Sequence, residues 1–127
     1  MYQRRRSPDQ IEMASEQLRR ERAAPRLSQE APDLTSLRLT FEDLKSPDAH
    51  GNVSYARPIV VTTAPAYFDV RCAEPRCDGR HDLTKAILTA LRARLTTTSG
   101  VSACSGWMGD VACDRSLTYG YVATYRS

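Results

Sequence analysis

This 127-residue chain holds four cysteines, Cys72, Cys77, Cys104 and Cys113, grouped as Cys72-x4-Cys77 and Cys104-x8-Cys113 with 26 residues between the pairs. Two short loops that each carry two thiols can converge on one point. That convergence would tie together four stretches of backbone, which constrains the fold more than any other feature. Two chemistries use paired cysteines in this way, a tetrahedral metal site and a set of disulfides.

The N-terminus separates the two. It runs Met-Tyr-Gln-Arg-Arg-Arg and then Ser-Pro-Asp-Gln, so a basic start leads into polar sequence rather than an apolar signal core. No apolar run approaches the ~20 residues that span a bilayer. The expected location is therefore cytoplasmic, where structural disulfides are rare and clustered cysteines hold metal. Two disulfides stand as the competing arrangement for a chain whose leader has been removed. Zinc is the expected ion, because thiolates are soft ligands and four of them close a tetrahedron. In small zinc peptides such binding supplies about 10 kcal/mol of folding free energy.

His81 lies four residues after Cys77. It can replace one cysteine in a ligand set of three cysteines and one histidine, or stand beyond the ligands as a helix-start residue or hydrogen-bond donor. Four cysteines already complete a tetrahedron, which favours the second role. Cys77-Asp78-Gly79-Arg80 is echoed by Cys113-Asp114-Arg115. Small residues there let amides turn toward sulfur, and a nearby Arg offsets the negative charge of four thiolates around a dication.

On these pairs, residues 68–120 resemble the zinc-ribbon and zinc-knuckle domains as a broad fold group. The usual spacing is C-x2-C in both halves, and here it is x4 and x8. The resemblance implies a structural zinc site. It does not select a function, since that group contains nucleic-acid binders, subunits of larger machines and protein adaptors.

The chain divides near residue 34. Ser7-Pro8-Asp9-Gln10 is a helix start, with Ser7 as cap, Pro8 at the first helical position and Gln10 completing a capping box. The helix should reach about Arg22 with a thin apolar stripe of Ile11, Ala14 and Leu18. Residues 1–33 are expected to form a helical arm, either solvated or docked on a partner, and a Pro-bearing linker from Ala23 to Asp33. Residues 34–127 are expected to form an α+β domain: a small antiparallel sheet of three or four strands, one packed helix and a zinc staple made by the four cysteines. Leu37, Leu39 and Phe41 alternate with polar residues as a half-buried strand. Val53 to Thr63 is β-branched and apolar, and Pro58 favours an edge or a bend over a central ladder. Phe68, Val70 and Cys72 share a face. Asp82 caps a helix whose apolar face is Leu83, Ile87, Ala90, Leu91 and Leu95. The Thr-Thr-Thr-Ser-Gly100 run is expected where that helix has ended. Leu117, Tyr119, Tyr121, Ala123 and Tyr125 make one face of a final strand.

The net charge of +3 comes from 18 basic and 15 acidic residues that are not strongly segregated. A dedicated nucleic-acid binder shows a larger excess or a basic stripe. Only Arg4-Arg5-Arg6 and Arg19-Arg20 approach one. Deaminase, nucleophile-elbow, HExxH, phosphate-loop and dinucleotide signatures are all missing, so the expected protein is not an enzyme and has no small-molecule substrate. The expectation is an interaction module without a membrane role, docking on a protein or ribonucleoprotein assembly. Trp107 and Met108, between Cys104 and Cys113, are either anchors for that partner or a lid on the metal site. The alternative is direct binding of DNA or RNA, with Arg4, Arg5, Arg6, Arg19, Arg20, Arg71, Arg76, Arg80 and Arg115 on phosphate.

Overall fold

A computed structural model describes residues 8–44, 53–72, 74 and 76–127. The Arg4-Arg5-Arg6 run, the expected Ser7 cap and residues 45–52 lie outside the described residues. The architecture is α+β. Strands β1 (Leu34–Leu44), β2 (Val53–Ile59), β5 (Thr97–Ala103) and β8 (Ser116–Tyr125) form one antiparallel sheet in the order β2-β1-β8-β5. Two small hairpins stand apart from it: β3 (Asp69–Arg71) with β4 (Arg80–Asp82), and β6 (Trp107–Met108) with β7 (Val111–Ala112). The helices are α1 (Pro8–Ala23), the single turn α2 (Leu27–Glu30) and α3 (Thr84–Arg92).

The pleat decides which side chains enter the core. In β1 and β8, Leu37 faces Ala123, Leu39 faces Tyr121 and Phe41 faces Tyr119. With Leu117, these residues join the main apolar cluster from one side of the sheet. A bulge between Leu34 and Ser36 lets Leu34 and Leu37, three positions apart, share that face. Strand β2 is an edge strand, and Pro58 sits in it opposite Arg38, as a residue without an N–H requires.

Helix α3 covers the core side with Ile87, Leu88, Ala90 and Leu91. The N-cap position falls on Leu83 rather than on Asp82, and Leu83 offers no capping side chain. Asp82, one residue earlier at the end of β4, accepts the Thr84 N–H on its Oδ1 at 3.1 Å. The helix stops at Arg92 rather than continuing to Leu95. Arg94 turns left-handed (φ 57°), its N–H bonds the Leu91 carbonyl, and the Leu95 N–H bonds the Ala90 carbonyl. That is a Schellman stop with arginine where glycine is usual. The Arg94 side chain is held by Asp33 (2.5 Å), by the Arg126 carbonyl (2.8 Å) and over the Tyr125 ring. Leu95 consequently leaves the helix and is 46% exposed. The helix has ended before the Thr-Thr-Thr-Ser-Gly run, as expected, and from Thr97 onward that run is part of strand β5. It pairs with β8 along its whole length.

The Ala23–Asp33 segment is not a free linker. The Leu27 N–H bonds the Ala64 carbonyl at 2.9 Å, and the Ala66 N–H bonds the Pro25 carbonyl at 2.8 Å. Leu27 is fully buried and Ala31 nearly so, both in the main core. Two apolar residues among polar neighbours do not announce themselves by periodicity; the partner segment at 64–66 gives them their place. Helix α1 meets the same body, since the Tyr67 phenol donates to Gln17 Oε1. Among the described residues, no helix is long and apolar enough to cross a membrane.

Burial sets Leu27 and Leu18 in clear contrast. Leu27→Ala should cost about 2–5 kcal/mol, as large-to-small core changes do. Leu18, 48% exposed, should cost well under that on the same change. Urea unfolding of the two variants checks both values.

Candidate metal centre

The four cysteines come from four places the fold brings to one end of the main sheet. Cys72 follows β3, Cys77 precedes β4, Cys104 follows β5 and Cys113 lies between β7 and β8. Their sulfurs all lie within 4.8 Å of one another, a group able to hold a metal ion. Cys72, Cys77 and Cys113 are buried and Cys104 is partly so. The Sγ atoms of Cys72 and Cys113 are 3.8 Å apart, and those of Cys77 and Cys104 are 3.5 Å apart. A disulfide requires about 2.05 Å, and all four are free thiols. Sulfurs at about 2.3 Å from a tetrahedral zinc stand about 3.8 Å from each other. The spacing fits a shared cation and not a pair of disulfides.

Backbone amides complete the site. Each cysteine receives the N–H of the residue two places on: Glu74 to Cys72, Gly79 to Cys77, Gly106 to Cys104 and Arg115 to Cys113. Such bonds favour thiolate. Burial opposes it, and the balance differs among the four. Desolvation pushes the Cys72 thiol far up and the Cys77 thiol up to about 11. Cys113 is also desolvated, but the Arg115 amide and hydrogen bonds from the neighbouring thiols bring it below the ordinary value. A cation among the four sulfurs would reverse the penalty of gathering negative charge there.

The two halves mirror each other through their glycines. In the first, the Cys72 N–H bonds the Gly79 carbonyl at 3.1 Å. In the second, the Cys113 N–H bonds the Gly106 carbonyl at 3.0 Å. The turns Cys77-Asp78-Gly79 and Cys104-Ser105-Gly106 lie against each other. A Cβ on Gly79 would come 2.5 Å from Cys104 Sγ, and one on Gly106 would come 2.4 Å from the Gly79 nitrogen and 2.7 Å from Cys77 Sγ. The structural match to Cys77-x-Gly79 is thus Cys104-x-Gly106. The sequence echo at Cys113-Asp114-Arg115 shares the sulfur–amide bond but lacks the glycine.

His81 is not in the sulfur group. It is buried in β4, and its Nδ1 lies 2.9 Å from Ser102 Oγ on β5. Trp107 and Met108 part company: Met108 packs on the cysteine cluster, while Trp107 is 50% exposed. The Trp107 N–H donates to Asp78 Oδ1 at 2.8 Å and its carbonyl accepts the Asp78 N–H. The hairpin of one half is thereby bolted to the knuckle of the other. Several of the described arginines are engaged by carboxylates. Arg19 and Arg20 pair with Glu16, Arg76 with Glu74 and Arg80 with the buried carboxylate of Asp69. Arg115 is itself buried, which removes it from any phosphate-binding set. No protein family, curated protein or solved structure matches this chain.

The glycine contact yields a sharp contrast. Gly106→Ala should weaken metal binding at least about tenfold, the scale on which groups supporting a ligand set act. Gly109 is left-handed (φ 69°), but a Cβ there would meet open space. Gly109→Ala should cost about 1 kcal/mol of stability and leave metal affinity unchanged. Competition against a chromophoric chelator measures both affinities.

Proposed function

We propose that Cys72, Cys77, Cys104 and Cys113 hold one structural zinc ion, and that the chain is a non-enzymatic zinc-ribbon-type module docking on a larger protein or ribonucleoprotein assembly. The observation that carries this is the closure of four sulfurs to tetrahedral spacing, each with a backbone amide. Four protein ligands leave no coordination position for a substrate, and that is the mark of a structural rather than a catalytic zinc site. The ion's contribution would be mechanical. It would tie the three-residue hairpin β3–β4 and the two-residue hairpin β6–β7 to the ends of β5 and β8.

Trp107 is the contact we assign to the partner. Its backbone is fixed on both sides by Asp78, and its indole stands half in solvent, 50% exposed. A rigid aromatic loses little entropy on docking and is the commonest kind of interface anchor. Direct nucleic-acid binding has less support, because the arginines at 19, 20, 76 and 80 each face a carboxylate.

Zinc should be found at one ion per chain, and cobalt exchanged into the site should show the intense charge-transfer bands of four thiolates. A strong chelator should lower Tm, and Cys72→Ser and Cys113→Ser should lose metal. Retained metal and an unchanged Tm in both variants would refute the site. For the partner, Trp107→Ala should weaken by about 2 kcal/mol the binding of whatever protein the wild type captures from native extract. Capture that instead vanishes with nuclease or modest salt would favour the nucleic-acid alternative.

A further inference from the structure

Strand β5 closes one side of the main sheet, and nothing among the described residues pairs with its outer edge. The direction of its backbone groups follows from register. Residues of β5 and β8 face each other as Thr97–Val122 through Ala103–Ser116. The Cys104 N–H bonds the Arg115 carbonyl, and the Ala123 N–H bonds the Thr96 carbonyl, both in the same register. Hydrogen-bonded pairs alternate in an antiparallel ladder. The even-numbered residues from Thr96 to Cys104 therefore bond β8. Thr97, Ser99, Val101 and Ala103 point their N–H and C=O groups outward, and all four are exposed.

Open edges of this kind are normally blunted by charge, proline or a bulge. The opposite edge, β2, follows that rule with Arg57 and Pro58. Strand β5 does not: Thr-Thr-Ser-Gly-Val-Ser-Ala has no charge, no proline and no register shift. We infer that this edge pairs antiparallel with β5 of a second copy of the chain, across a two-fold axis at Gly100.

Three features select a second copy. First, Gly100 is the midpoint of the strand, so a two-fold there sets Thr97 against Ala103 and Ser99 against Val101 of the other copy. Every outward N–H and C=O of the strand then meets a partner. Second, self-pairing doubles any charge at the contact, and this strand carries none. Third, Val101 is the most exposed large apolar side chain among the described residues, at 70%. In this register it lies diagonal to its own two-fold mate, within reach for contact on the pleated face. The interface consists of one strand pair, so its affinity falls in the micromolar to submillimolar range. The pairing is independent of the metal and of the partner proposed at Trp107.

Sedimentation equilibrium of the intact protein, from micromolar to millimolar, tests this. The wild type should move from 14.2 kDa toward twice that mass. Val101→Lys sets like charges across the axis, and Ser99→Pro removes an outward donor. Neither touches a β8 hydrogen bond, and unchanged far-UV circular dichroism with full metal content verifies the fold. Each should raise the dimer Kd at least about tenfold, equivalent to about 1.4 kcal/mol. Amide exchange at Ser99 and Val101 should slow as wild-type concentration rises. A wild type that stays monomeric up to millimolar overturns the proposal and leaves the edge to a strand of another protein. A dimer unaffected by both substitutions, with no concentration-dependent protection at Ser99 and Val101, overturns it as well.

Discussion

Two chain reversals must touch if four thiols are to reach one point, and the contact between Gly79 and Gly106 makes that approach. Either glycine with a side chain would drive a carbon into sulfur or backbone of the other turn. Everything at that end of the molecule depends on the contact. The Asp78–Trp107 hydrogen bonds cross between the halves beside it, Met108 packs onto the sulfurs, and the Cys104 amide reaches Arg115 to start the β5–β8 ladder. The hairpins β3–β4 and β6–β7 are too short to be stable alone. A shared cation would convert them into one rigid piece.

The rest of the chain is held by ordinary burial. The main cluster runs from Leu27 to Ala123 and is separate from the cysteine cluster. The two are joined through strands β5 and β8 and through His81, whose ring bridges β4 to Ser102. At the other end, Tyr121 and Tyr125 both donate to the Leu95 carbonyl, at 2.8 and 2.5 Å. Burial together with the neighbouring Tyr125 raises the Tyr121 phenol well above its ordinary value, so it stays a donor at any physiological pH. Arg94, with its left-handed backbone, ties the same turn to both Asp33 and the C-terminal strand. A strained residue persists where its surroundings over-determine it.

The thiols face inward, while several large apolar side chains stay exposed. The sulfurs are turned toward each other. Trp107, Val111 and Val101 are turned toward solvent. The two proposed contacts would differ in kind: a rigid aromatic on a short hairpin would offer a point of attachment, and the β5 edge a line of backbone groups.

Strong local patterns were legible in the residues alone. Alternation in Leu37–Phe41 and in Leu117–Tyr125 is visible because one face of each strand is buried, and the period of two follows from the pleat. The face Leu83, Ile87, Ala90 and Leu91 is visible for the same reason at helical period. The grouping of the four cysteines came from their spacing and from the rarity of other uses for them. Tertiary structure decided the remainder. Thr97–Ala103 became a strand because β8 supplied a ladder, not because its own sequence alternates apolar residues. Leu27 became core because the 64–66 segment reached it. The helix stopped at Arg92 because Arg94 found Asp33, Tyr125 and Arg126 within reach. The pairing of Cys77-x-Gly79 with Cys104-x-Gly106, rather than with Cys113, was set by which turns come into contact. The residues determined that four thiols could meet; only the approach of two glycines, distant in the chain, decided how.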